Sequence, residues 1–180
     1  PSANVFPGLR PIVQNGSAER WTSFESPYSH FSVMIPSNGL EGSIVTSDAN
    51  GQPVALDIIK ALGERAHLMV IAGRGPETNL TDSSFIDKSI HDFINSINQE
   101  KVQRGRSASE MLSLKPVRDL KLANYSGRQY DLQNEWFSGT VRVFTRRMGG
   151  DRQLFVLLAL TRPGGEGFAS QFLNSFKITE

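Results

Sequence analysis

Arg142, Arg146 and Arg147 crowd the stretch "GTVRVFTRRM", Arg152 follows just past the Gly149-Gly150 pair, and Arg128 precedes them in "YSGRQYDLQ". A guanidinium is a planar fork of donors that grips a carboxylate or phosphate with two parallel hydrogen bonds. On a strand, Arg142 and Arg146 share a face. The five arginines are therefore the candidate interaction patch, for an acidic partner or a phosphate. The plainer account makes them solvent-side residues neutralised by neighbours such as Asp131, Glu135 and Asp151.

Other chemistries find little support. Three histidines stand at 30, 67 and 91, and none has a metal-binding spacing such as HExxH or a pair four apart. In "ERAH" Glu64 and His67 are three apart, which on a strand points them to opposite faces. Serines are plentiful, but GxSxG and the other serine-enzyme signatures are absent, so hydrolysis is the weakest alternative. "AGRGPE" and "RPGGEGF" are glycine-rich without matching either phosphate-loop pattern. No catalytic residue, metal ligand or cofactor is assigned. Trp21 and Trp136 fit the core or the rim of a fold.

The composition narrows the class further. The 180 residues suffice for one domain, and 38% apolar with 21% charged residues is ordinary for a globular chain. Nineteen basic against eighteen acidic residues leave a net charge of +1, so no overall field draws the chain to nucleic acid, and any charged partner needs a local patch. The absence of cysteine removes disulfides, thiolate catalysis and zinc-cysteine sites.

The elements that must position these residues follow from hydrophobic period. "RWTSFES" and "HFSVMIPS" are strand candidates, and Asn50-Gly51 marks a tight hairpin. "VALDIIKALG" and "RAHLMVIAG" are apolar on both parities, as central strands are, although Leu56, Ile59 and Leu62 of the first also fit a helical face. From Phe85 to Ile97 the apolar residues recur at helical spacing, predicting a long amphipathic helix, with Ser84 and Asp87 as a capping box at its start. "GTVRVFTRRM" and "RQLFVLLALTRP" predict a hairpin whose second strand is buried on both faces. A last short helix carries Phe168, Phe172, Leu173 and Phe176, which should dock it onto the sheet.

This order predicts an α+β fold with a central, largely antiparallel sheet covered by one long and one short C-terminal helix. Residues 1–20, rich in proline and glycine, read as a linker or laid-down arm, and 21–180 as the single domain. The arm is expected to lead to a membrane anchor, a signal peptide or another module.

The second half, "YSGRQYDLQ…GTVRVFTRRMGGDRQLFVLLALTRP…ASQFLNSFKI", resembles exported bacterial domains that combine a Gly-Arg-x-Tyr strand, an Arg-bearing strand, an apolar strand and an "FLxSF" helix. Those domains resemble the PsbP-like α/β/α sandwich, shared by the oxygen-evolving accessory protein of photosystem II, a Ran-binding nuclear import factor and DcrB-type lipoproteins. The first half fits in outline through "W…F.SP…FSVMIPS". The resemblance implies a non-catalytic accessory or binding domain and transfers no site. Together with the near-neutral charge, the expected function is an extracytoplasmic accessory or protein-interaction domain with a protein partner and no nucleic acid, a cytoplasmic setting being the alternative. The competing function is a small-molecule or lipid carrier, with its pocket expected between the long helix and the sheet.

Overall fold

In a computed structural model, residues 8–47 and 53–179 are described. The order is β1 (Arg10–Pro11), β2 (Trp21–Ser26), β3 (Phe31–Pro36), β4 (Leu40–Ser47), β5 (Pro53–Leu62) and β6 (Ala66–Pro76), then the long helix α1 (Asp82–Gln103). A 3-10 turn (Ala108–Glu110) leads to β7 (Ser113–Leu122), β8 (Tyr125–Gln133), β9 (Ser138–Met148) and β10 (Asp151–Thr161). The short helix α2 (Glu166–Ser175) and β11 (Lys177–Ile178) end the chain.

Eight strands form one sheet in the order β1-β4-β5-β6-β10-β9-β8-β7, antiparallel at every pairing. β6 and β10 lie at its middle, paired from Ala66↔Thr161 to Pro76↔Asp151. "VALDIIKALG" is thus a strand: Ile58 and Lys60 of one parity are buried as well as Ile59 and Ala61 of the other. A sheet apolar on both faces must be covered twice, because each exposed face would leave several large side chains in water at roughly 1.5–3 kcal/mol apiece.

α1 covers one face. Ile86, Ile90 and Ile94, spaced by four, are at most 3% exposed and pack on Tyr130, Leu132, Val141, Val143, Val156 and Leu158. The other face is closed by α2 together with a second, three-stranded sheet, β11-β3-β2, which is an addition to the single sheet expected. Here Phe31 of β3, Phe155 of β10 and Phe176 at the end of α2 meet as a triangle, with ring centroids 5.5 to 5.8 Å apart. Phe172 is fully buried among them. The terminal phenylalanines therefore close the second core, and the Ser175 hydroxyl accepts the Met34 amide to tie α2 to β3.

The start of α1 differs from its expected form. Thr81 is the N-cap, its hydroxyl accepting the Ser84 amide at 3.3 Å, while Asp87 turns toward β8. Within the expected arm, Arg10–Pro11 pair with β4 and Ile12 packs on the core, its amide donating to Gly39 at 2.9 Å. Residues 1–7 and the Asn50-Gly51 turn lie outside the described residues.

Candidate functional site

The alternation of strand side chains decides where the five arginines go. Arg147 pairs in register with Arg152, and Arg128 with Val143, so these three lie on the α1 face. Arg142 and Arg146 lie on the opposite face with Phe144 and α2. The sheet runs between the two groups, and the structure brings the five together into no single patch.

Each group is engaged with the fold. Arg128 reaches both oxygens of Asp87 at 2.7 and 2.8 Å and Asp119 at 2.7 Å. Its hydrogen bonds to Asp119 and Asp87 raise its pKa above the ordinary arginine value. Tyr130, fully buried, donates its hydroxyl to the same Asp87 carboxylate at 2.5 Å. Burial, then that hydrogen bond, push the phenol up, and α1 is thereby stapled to β8. Arg147 donates to the Leu80 carbonyl at 2.8 Å and pairs with Glu77 at 2.9 Å.

Arg152, 1% exposed, is the largest fully buried side chain of the described residues. It donates to the Leu80 carbonyl at 2.9 Å, lies 3.3 Å from Asp82 and covers the Phe85 ring at 4.4 Å. Burial lowers its pKa and the Asp82 charge opposes that. On the other face Arg142 donates to the Leu173 carbonyl at 3.0 Å, placing a cation at the C-terminal end of α2 where the helix dipole favours one. Arg146 lies over the Tyr125 ring at 4.7 Å. Two of the three acidic neighbours expected for the cluster work elsewhere: Asp151 pairs with Arg74, and Glu135 accepts from Ser109.

Among the described residues no group of three histidine, aspartate or glutamate side chains is placed to hold a metal. His67 packs on Phe137 with ring centroids 5.1 Å apart, and burial followed by the Arg162 charge lowers its pKa. No helix among the described residues is long and apolar enough to cross a membrane.

Two clefts of about 530 Å³ open on the surface. One lies beside the β5–β6 turn and the start of α2, floored by Ala61, Ala66, Leu68 and Phe168. It is away from α1, whose isoleucines Ile86, Ile90 and Ile94 are buried against the sheet. The other runs between the C-terminal end of α1 and the β8–β9 turn, lined by Ile97, Lys101, Arg104, Arg106, Trp136, Phe137 and Arg162, with Glu100 and Glu110 among them.

The turn beside this second groove is held firmly. The Asn134 side chain accepts the Trp136 and Phe137 amides at 2.9 and 2.8 Å and donates to the Glu110 carbonyl at 2.9 Å. Glu135 is tied to Ser109 through backbone and side chain. On this braced turn Trp136 is 58% exposed. Because its backbone is already fixed by Asn134, covering this side chain would require little ordering of the turn. Beside it Arg162 covers Phe137 at 5.2 Å, and Lys101 donates to the Glu110 carbonyl at 2.6 Å. The sequence signal for this site was "NEWFSG", two large aromatics inside a turn between strands. Its basic residues come from two separate segments, 101–106 and Arg162, which folding unites with that turn.

No protein-family model matches this chain, and no curated protein matches its sequence. Among solved structures, the chain is similar to the cyanobacterial PsbP (CyanoP) of Synechocystis sp. PCC 6803. The TM-score is 0.51 at 13% identity, over 88% of this chain and 92% of that one. With its antiparallel sheet between α1 and the α2 layer, the chain has a PsbP-like α+β fold.

Proposed function

We propose that this chain is a non-catalytic accessory domain that acts outside the cytoplasm by binding a protein partner, with the groove beside Trp136 as its docking face. The observation that carries the reading is Trp136 itself, 58% exposed on a turn braced by Asn134 and Ser109. Interface hot spots are enriched in tryptophan and arginine, and here both line one groove. The likeness to cyanobacterial PsbP supports an accessory role, and the resemblance of the second half to exported bacterial domains supports the extracytoplasmic setting and a membrane tether. Glu100 and Glu110, interleaved with the cations, disfavour a nucleic-acid backbone in the groove.

The test is affinity capture from the native host's extract with the full chain and with Trp136→Ala in parallel. The reading predicts a saturable protein partner that the variant fails to retain. A partner held equally by both would overturn the assignment of this face. The carrier reading rests on the cleft floored by Phe168, whose volume suits a small ligand. A co-purifying small molecule, seen by native mass spectrometry and lost in Phe168→Arg, would favour it.

A further inference from the structure

We infer that the groove beside Trp136 takes an acidic peptide segment carrying an aromatic or large apolar side chain. This rests on the protein-binding reading above and adds the chemistry of the partner. Four cations, Lys101, Arg104, Arg106 and Arg162, face two carboxylates, Glu100 and Glu110, so the groove is net positive on a chain that is nearly neutral. Arg104 pairs with Glu100 and Arg106 with Glu110, the latter at 3.8 Å, and both arginines are more than half exposed. Exposed pairs of this kind contribute little, so their guanidinium groups can turn to a partner's carboxylate at small loss.

Arg162 stands differently. Its guanidinium lies over Phe137, and among the described residues no ion pair engages it. That leaves the edge of a planar donor fork for a bidentate carboxylate, next to an exposed indole. An acidic peptide with one aromatic residue satisfies both: the carboxylates meet Arg162 and Arg106, and the ring lies against Trp136. A membrane surface would need a flatter basic face, and the two groove carboxylates repel closely spaced phosphates.

The experiment selects displayed random peptides of about 12 residues, long enough to cross a groove of this kind, on the immobilised full chain. The selected peptides are then tested on Trp136→Ala and on Arg162→Glu. The expected result is a pool enriched in Asp and Glu with one aromatic residue, weakened by added salt. Each variant should lower its affinity by about tenfold or more, with thermal melting unchanged. Lys121→Glu, on the edge strand β7, is the control and should bind as the parent does. A pool that is neutral or basic, or that both variants bind as well as the parent, overturns the inference. So does tighter binding to vesicles containing phosphatidylserine or to oligothymidylate. If a captured host protein needs Trp136 while the selected peptides are not acidic, the acidic class is wrong and protein binding stands. If neither capture nor selection yields anything dependent on Trp136, both fall.

Discussion

Arg152 and Asp82 give an asymmetric prediction, because the two ends of the pair differ in burial. Arg152 is 1% exposed, whereas the Asp82 side chain is one-third exposed, at 33%. Removing Asp82 strands a cation under α1 with the Leu80 carbonyl and the more distant Glu77 as compensation. Removing one member of a buried pair costs about 3–5 kcal/mol, and the partial exposure of Asp82 sets Asp82→Ala near the lower end, about 3 kcal/mol. Arg152→Met removes the charge itself. Arg147 still donates to Leu80, Ser126 still donates to Asp82, and a thioether packs well on Phe85. That variant should stay within about 1 kcal/mol of the parent. In thermal unfolding of a chain this size, Asp82→Ala should lower Tm by about 6–12 °C, while Arg152→Met moves it by about 4 °C or less. The double variant should be more stable than Asp82→Ala alone. If Arg152→Met proves the more damaging of the two single changes, the guanidinium is holding α1 by its own hydrogen bonds and the reasoning from stranded charge is refuted.

Other consequences are as direct. Phe172 is fully buried under α2, so Phe172→Ala should lower stability by about 3–5 kcal/mol in urea unfolding, with α2 losing protection from hydrogen exchange. Burial pushes the Asp87 carboxyl up, but the Tyr130 and Arg128 hydrogen bonds outweigh it and hold its pKa below the ordinary value. Its contribution is therefore full above the unfolded pKa of roughly 4 and is lost as pH falls through the lower folded value. Asp87→Asn should destabilise at neutral pH and flatten the acid limb of a stability–pH curve. Burial, then Arg162, lower the His67 pKa, so this residue favours folding above about pH 6.5 and ceases to as pH falls through its folded value. His67→Gln should remove that fall, measured as the difference in Tm between about pH 7 and pH 5.

What the sequence revealed was set by local period. Isoleucines at 86, 90 and 94 announce α1, and apolar residues of both parities announce β6 and β10, because such patterns have few ways to be buried. The capping of α1 was read wrongly for a tertiary reason. Ser84 and Asp87 have the spacing of a capping box, but Asp87 gains more from Arg128 and Tyr130, which lie more than forty residues away in sequence. The placement of the arginines was hidden for a similar reason. Sequence shows that Arg142 and Arg146 share a face, but with both faces covered it does not show that this face lies under α2, nor that Arg147 and Arg152 meet Leu80 on the other side. The second sheet was hidden because β2 and β3 look like any hairpin until β11 joins them. The groove was hidden because Lys101, Trp136 and Arg162 share no local pattern.

The account turns on whether Trp136 is a point of contact. The most direct measurement places a photo-crosslinking amino acid at position 136, and in a second protein at position 121 on the far edge strand, and illuminates each in the native host's extract. The account predicts a discrete protein adduct from position 136 that excess unlabelled chain suppresses, and none from position 121. Adducts of the same identity and yield from both positions, or none from 136, would contradict it.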